Sequence, residues 1–206
     1  MLELLARGGI IMIPLGITSM VALAVVLERL WTIGRAVRAD RDVVEKVHGL
    51  IKAKQLSEAY VVLQEASGPI GLVLKETLRS LGSGQARERA SRIASRQIRH
   101  LEAYLKTLGV IGSISPLIGL LGTVIGLLNV FQRIEGAGAR VDPSMLAGGI
   151  WQALITTVTG LCIAVPAVLM YHWFISRIDG IEAEMKELTE EVLDVEGALQ
   201  NADQAA

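Results

Sequence analysis

Residues 143–176 read PSMLAGGIWQALITTVTGLCIAVPAVLMYHWFIS, a run of 34 residues without Asp, Glu, Lys or Arg. Two shorter uncharged runs precede it, residues 107–132 with 26 residues and residues 8–27 with 20. Uncharged apolar runs of about 18 residues or more are typical of membrane-crossing helices. The 20 Lys and Arg and the 21 Asp and Glu of the chain all lie outside these runs. We therefore predict an all-α integral membrane protein with three transmembrane helices.

The three runs divide the chain of 206 residues into six segments. The first run begins so early that a cleaved signal peptide is the alternative to a span. Its 20 uncharged residues exceed a typical signal-peptide core, and no clear small-residue cleavage site precedes Glu28, so we interpret it as a retained span. The predicted segments are 1–30 (N-terminal lead and transmembrane helix 1), 31–106 (cytoplasmic helical domain), 107–132 (transmembrane helix 2), 133–142 (short periplasmic loop), 143–176 (transmembrane helix 3) and 177–206 (acidic cytoplasmic tail helix).

Basic residues near the ends of the spans predict the orientation, because cytoplasmic loops carry an excess of Lys and Arg. Only Arg7, Arg133 and Arg140 lie on one side. We therefore expect a periplasmic N-terminus and a cytoplasmic C-terminus in a bacterial inner membrane. The eleven basic residues at the two ends of the large polar domain are Arg29, Arg35, Arg38, Arg41, Lys46, Arg87, Arg89, Arg92, Arg96, Arg99 and Lys106.

The composition argues against several classes of protein. A hydrophobic content of 51% is too high for a disordered chain, and a net charge of −1 with few aromatic residues gives no sign of a nucleic-acid-binding surface. The single cysteine, Cys162, allows no intrachain disulfide or paired-thiol metal site. The sequence contains no recognisable nucleophile–base pair, metal cluster or phosphate-binding loop. We therefore predict a protein that is not an enzyme and that has no catalytic residues, metal site or cofactor.

The polar segments read as long helices. Apolar residues recur at helical spacing from Gln85 onward, and no Gly or Pro separates them from the second span, which predicts one helix over 85–132 of roughly 70 Å. Segment 85–106 has six bases and two acids, whereas the tail has nine acids and two bases, so we expect the two helices to pack together; two independently solvated helices are the alternative. The tail shows a heptad seam at Ile178, Ile181, Met185, Leu188, Val192, Val195 and Leu199.

Spans two and three are built for close packing rather than for simple anchoring. Small residues at spacings of four and seven let helix backbones approach each other inside lipid. Pro116 frees a backbone carbonyl that a neighbour must satisfy. We predict that these two helices lie in the interior of an oligomeric bundle. The predicted helix-packing positions are Pro116, Gly119, Gly122, Gly126, Gly160 and Pro166.

Span three also carries an unusual number of hydrogen-bonding side chains. Gln152, Thr156 and Thr159 fall on one helical face, Thr157 lies beside them, and span two adds Thr123. Such groups are costly in a membrane unless they meet protein or water. In the simplest interpretation each Thr bonds a carbonyl of its own helix and Gln152 links two helices. As a group, Thr123, Thr157, Gln152 and Thr156 favour an ion pathway or a surface that faces a partner.

The spans contain no Asp, Glu, Lys or Arg. Proton conduction across a membrane normally requires a titrating group partway across. His172 lies at the end of span three beside Tyr171 and Trp173, where an interfacial role is expected. If protons cross this protein, the essential acid must come from another polypeptide.

These residues resemble the MotA/TolQ/ExbB family, specifically its three-span ExbB/TolQ branch. Three stretches carry the resemblance: LERLW at 27–31, PLIGLLGTV at 116–124, and ALITT at 153–157 followed by Gly160-Leu161 and by AVPA at 164–167. The motifs of spans two and three are specific when they occur together. The resemblance covers about residues 8–180.

The resemblance implies a homopentamer whose second and third spans line a central pore. In the family this pore holds the single spans of an ExbD/TolR-like dimer, and an aspartate of that partner accepts the translocated proton. By motif, Thr123 and Thr157 match the two threonines that face the partner aspartate. Family members often have a glutamate where this chain has Gln152, and an amide cannot titrate. The translocated ion is H⁺ by this resemblance, and Na⁺ stays open because Thr hydroxyls also suit that ion.

Two functions from different classes follow. The first is a stator subunit of the inner membrane that couples proton-motive force to mechanical work, energising outer-membrane transport or envelope integrity. The alternative is a passive oligomeric membrane scaffold without ion flow. A stator subunit requires the hydroxyls of Thr123 and Thr157 for its function, whereas a passive scaffold does not.

Overall fold

The computed structural model describes residues 9–137 and 143–205. Within these residues the chain is helical, without a strand, which confirms the predicted all-α class. The predicted orientation residues Arg7 and Arg140 and the lead 1–7 lie outside the described residues. The helices are α1 (Met12–Lys52), α2 (Leu56–Val62), a 3₁₀ turn (Leu63–Glu65), α3 (Pro69–Arg79), α4 (Ala86–Leu101), α5 (Leu105–Ala137) and α6 (Pro143–Ala205).

Three of the helices in the described part of the chain are long and apolar enough to cross a membrane. Their candidate spans lie within Met12–Lys52, Leu105–Gly136 and Leu146–Ala202. This result confirms, by length and composition, the three predicted transmembrane helices. Each of these helices continues beyond its uncharged run. Pro116 lies inside α5, and Pro166 lies inside α6.

The chain divides into two compact units. The membrane unit comprises Met1–Leu27 with Tyr104–Trp173, and the polar unit comprises Glu28–Ala103 with Phe174–Ala206. Helices α1 and α6 contribute to both units, whereas α5 belongs to the membrane unit and α2, α3 and α4 to the polar unit.

The predicted continuous helix over 85–132 is wrong. Helix α4 ends at Leu101, and α5 begins at Leu105 after a short turn. Tyr104 adopts φ 61°, the left-handed conformation that residues other than glycine rarely take. A helix cannot continue through such a residue, and neither a glycine nor a proline marks the position in the sequence.

A buried arginine supports the end of α4. The side chain of Arg29 is almost fully buried, and its Nη1 donates hydrogen bonds to the carbonyls of His100 and Leu101 at 3.0 and 3.1 Å. These carbonyls lie in the last turn of the helix, where the regular hydrogen bonds from residues four positions later end. The carbonyl of His100 also accepts a longer bond from the N–H of Ala103, at 3.4 Å. The guanidinium also forms an ion pair with Glu28. Arg29, counted in the sequence as one more cytoplasmic charge, therefore terminates a helix 71 residues away.

Replacing Arg29 with Gln is expected to destabilise the chain by about 2 kcal/mol, because hydrogen bonds from a charged donor are worth about 1.5–3 kcal/mol. The measurement is the thermal midpoint of the purified chain in a mild detergent, followed by circular dichroism. Arg99→Gln is the matched control, because this arginine is exposed on α4. Equal midpoints for the two variants would show that the capping bonds contribute nothing.

The acidic tail packs within the polar unit as its seam predicts. Ile178, Ile181, Met185, Leu188 and Val192 are buried. The last two seam positions are more exposed, so the buried part of the seam ends near residue 192.

The predicted pairing of the basic and acidic helices is confirmed. Arg87 Nη1 of α4 lies 2.5 Å from Glu190 Oε1 of α6, and both helices line one cleft with Ala90 and Met185 on its walls. Arg92, by contrast, pairs with Glu88 on its own helix at 2.5 Å. The contact therefore uses the first turn of α4 rather than its central arginines.

Asp40 of α1 connects two helices of the polar unit. Its carboxylate accepts hydrogen bonds from the backbone N–H groups of Ile70 (2.7 Å) and Gly71 (3.0 Å) in the first turn of α3. A Cβ at residue 68 would collide with this carboxylate, so glycine is required there. Burial raises the pKa of Asp40, the two N–H groups oppose that rise, and the charge of Glu184 adds to it.

The raised pKa of Asp40 has a defined consequence for stability. The folded chain binds this proton more tightly than the unfolded chain, so the stability due to Asp40 is complete below its unfolded pKa and declines as pH rises through the folded pKa. We expect the thermal midpoint of wild type minus that of Asp40→Asn to become smaller as pH rises from about pH 4. Asp40 also lines a cavity whose other charged and titratable groups are Arg41, Glu45, His48, Arg177 and Glu184, and both proteins contain all of them. A difference that grows with pH would contradict the sign.

Candidate functional site

Helices α5 and α6 approach each other backbone to backbone in the membrane unit. A Cβ on Gly160 would lie 2.5 Å from the carbonyl oxygen of Ser115, and one on Gly119 would lie 2.8 Å from that of Thr156. A Cβ on Gly126 would lie 2.9 Å from Cβ of Ala153. Because residue numbers rise along one helix as they fall along the other, the two helices are antiparallel. Only glycine permits this approach without displacing backbone.

Thr156 fills the space that the glycines leave. Its side chain is 1% exposed, and its hydroxyl lies 2.7 Å from the carbonyl of Ala153 and 3.1 Å from that of Gly119. A Cβ on Gly122 would collide with the same threonine. The hydroxyl has one proton, which it donates to one carbonyl at a time, within α6 or across to α5. The structure thus places Thr156 between two helices of the same chain.

Thr157, the next residue, differs from the other span threonines. Its Oγ1 is buried, and no hydrogen-bond partner for it exists in the described part of the chain. Thr123 Oγ1, by contrast, donates to the carbonyl of Leu120 at 2.7 Å, and Thr159 Oγ1 donates to that of Ile155 at 2.8 Å. A buried polar group without a partner costs about 1–3 kcal/mol, so natural proteins rarely keep one without use.

Ser115 shares this property and was not singled out in the sequence. Its side chain is fully buried, and its Oγ also lacks a partner among the described residues. The sequence did contain a signal, because Ser115 precedes Gly119, Gly122 and Gly126 at spacings of four, three and four. Those spacings put it on the same face of α5, and its own carbonyl contacts Gly160.

Two other predicted residues, Gln152 and Pro166, lie apart from the contact between α5 and α6. Gln152 is half-buried, and its side-chain amide lies beside Gly9, whose Cβ would come within 2.6 Å of Nε2. Pro166 lines a groove of about 700 Å³ between α1 and α6, together with Cys162 and Thr159. The contact between α5 and α6 therefore brings Thr156 together with the four predicted glycines. Pro166 instead faces α1, and Gln152 faces Gly9, which precedes α1.

The outward faces of α5 and α6 are strongly apolar. Leu117, Leu120 and Leu121 of α5 are 51–62% exposed, and Leu154 and Val165 of α6 are 56% and 57% exposed. In a membrane such faces meet lipid or other membrane helices. The half-exposed Thr123 lies among the apolar residues of α5.

Together, these features define a class: a multi-pass membrane protein whose second and third spans pack through glycine and bury hydroxyls at their contact. Comparison with known sequences agrees. Residues 65–187 match the profile of the MotA/TolQ/ExbB proton channel family. The chain belongs to this family, on its ExbB/TolQ-like branch.

Several named relatives support that assignment. A biopolymer transport protein of Synechocystis, ExbB-like 1, is 32% identical over 85% of this chain and 71% of its own length. The biopolymer transport protein ExbB of Pseudomonas putida is 29% identical over 89% of this chain and 58% of its own. The Tol-Pal system protein TolQ of Haemophilus influenzae is 38% identical over 58% of this chain and 48% of its own. The chain spans only about half the length of the last two relatives.

Proposed function

We propose that this chain is an ion-driven stator subunit that couples proton-motive force to mechanical work. In this proposal five copies form a bundle in a bacterial inner membrane, with N-termini in the periplasm and C-termini in the cytoplasm. Helices α5 and α6 line the central pore, and an ExbD/TolR-like single-span dimer occupies it. The work energises outer-membrane transport or envelope integrity; the relatives include a biopolymer transport protein and a Tol-Pal system protein.

The unpartnered hydroxyl of Thr157 is the observation that carries the proposal. A membrane-buried hydroxyl that has no partner among the described residues is satisfied if a polar group of another molecule reaches it. The family motif assigns that group to an aspartate of the partner span. Thr123 is half-exposed on α5, so a partner helix can reach its side chain in this proposal.

The distribution of charge supports a pathway in which this chain supplies polar side chains and another protein supplies the titrating acid. The three spans of this chain contain no Asp, Glu, Lys or Arg, and Gln152 cannot titrate. A proton pathway of this chain therefore depends on an acid supplied in trans. Each proton that crosses a potential of about 100 mV releases about 2.3 kcal/mol, so several protons suffice for a large rearrangement.

The test compares function with assembly in cells that depend on this chain and its partner. A double variant, Thr123→Val with Thr157→Val, is expected to lose activity as completely as wild-type cells treated with a protonophore. Both substitutions keep the side-chain volume and remove the hydroxyl. Crosslinking of the purified protein should show the same oligomer as in wild type. Full activity of the double variant would instead support the alternative, a passive scaffold without ion flow.

A further inference from the structure

A shallow groove on α1 begins one helical turn beyond the first uncharged run, which ends at Leu27. Its volume is about 480 Å³, and it lies wholly within the polar unit. At about 1.5 Å per residue, Trp31 lies about 6 Å beyond Leu27, which is the depth of the lipid headgroups if residues 8–27 span the hydrocarbon. The backbones of Arg35 and Arg38 lie about 12 and 16 Å beyond Leu27, and their long side chains tilt back toward the helix N-terminus, that is, toward the headgroups. It is lined by Leu30, Trp31, Gly34, Arg35, Arg38 and Ala39.

The two arginines of the groove differ from others in the polar unit. Arg29 is turned inward, and Arg87 and Arg92 have carboxylate partners. Arg35 and Arg38 are exposed, and within the described residues no carboxylate oxygen lies within 4.0 Å of either. The groove therefore has two positive charges that the described chain does not neutralise.

The other walls of the groove suit an amphiphile. Trp31 is 68% exposed, and the guanidinium of Arg35 lies 5.6 Å from the centre of its ring, which orients both side chains. Exposed Trp next to a span is typical of the membrane interface. Gly34 also lines the groove, and no atom lies within 4 Å of where its Cβ would be, so the space beside it is open. A polar, anionic group can enter there while an attached apolar chain passes along Leu30 toward the uncharged run.

We propose that this groove binds the phosphate of an anionic phospholipid. Arg35 and Arg38 contact the phosphate, Gly34 gives it room, and Trp31 with Leu30 contacts the upper part of an acyl chain. The proposal requires only that α1 crosses the membrane and is independent of ion coupling. Bound lipid would fix the depth and rotation of the first span.

The test uses the purified full chain in a neutral detergent, titrated with phosphatidylglycerol or phosphatidylcholine, with bound lipid counted by native mass spectrometry. Wild type should bind phosphatidylglycerol more tightly. The double variant Arg35→Gln, Arg38→Gln should lose about thirtyfold in affinity for it. Lys52→Gln with Lys54→Gln is the matched control, because it removes the same charge from the last residue of α1 and from the turn that follows, and it should keep the wild-type affinity.

A second variant separates shape from charge. Gly34→Leu fills the groove without altering any charge, and it should also weaken binding of phosphatidylglycerol. Wild-type affinity in Gly34→Leu, or an equal loss in the lysine control, would overturn the proposal in favour of unspecific attraction or of a different occupant. Displacement of the lipid by excess inorganic phosphate would show a simple anion site and would also overturn it.

Discussion

Replacing Thr157 with Val is expected to reduce the proposed proton-dependent activity strongly while leaving the fold of the chain intact. The buried Oγ1 has no partner among the described residues, so its removal costs the isolated chain nothing and relieves an unsatisfied group. The variant should therefore melt at the wild-type temperature or slightly higher. Activity should fall by about tenfold or more, because about 1.4 kcal/mol of lost stabilisation in the rate-limiting step corresponds to a factor of ten.

Two control variants test whether the loss of activity is specific to the hydroxyl of Thr157. Thr157→Ser retains a hydroxyl at the same position and should keep most of the activity. Thr159→Val removes a hydroxyl two residues away that already bonds Ile155, and it should leave activity near wild type. Loss of activity in Thr159→Val as large as in Thr157→Val would contradict a specific role for Thr157.

Replacing Gly160 with Val is expected to separate α5 from α6. The added Cβ would lie 2.5 Å from the carbonyl oxygen of Ser115 and 3.2 Å from Cα of Gly119. Both are backbone atoms, which cannot rotate away as a flexible side chain does. Overpacking of this kind costs about 3 kcal/mol, so we expect a lower thermal midpoint in detergent and loss of activity.

The control for Gly160→Val is Gly16→Val in α1. This glycine also lies in the membrane unit, but no atom lies within 4 Å of its Cβ position. The two substitutions have the same intrinsic cost for a helix, so their difference isolates the contact between α5 and α6. Equal thermal midpoints would show that this close approach does not stabilise the protein.

The sequence predicted those features that periodicity and charge determine. Long uncharged runs identified three membrane helices because lipid tolerates little else. The heptad spacing from Ile178 to Val192 identified a buried seam, and the opposite charges of α4 and the tail predicted their contact.

Other features depend on contacts between residues far apart in the chain, which no local pattern reveals. Arg29 bonds the carbonyls at the end of α4, and Asp40 bonds the N–H groups at the start of α3. Each side chain bonds a backbone terminus 30 or more residues away. The same limit applies to the threonines: spacing grouped Thr156 with Thr157, but only the geometry shows that Thr156 bonds between two helices while Thr157 has no described partner.

The central claim is that this chain supplies a pathway lined by hydroxyls and that another protein supplies the acid. The direct measurement is proton flux into liposomes that contain the purified chain, with and without its single-span partner, under an imposed membrane potential. We predict no flux above empty liposomes for the chain alone, and a flux with the partner that Thr157→Val eliminates. A proton flux through the chain alone equal to that of the complex would contradict the account.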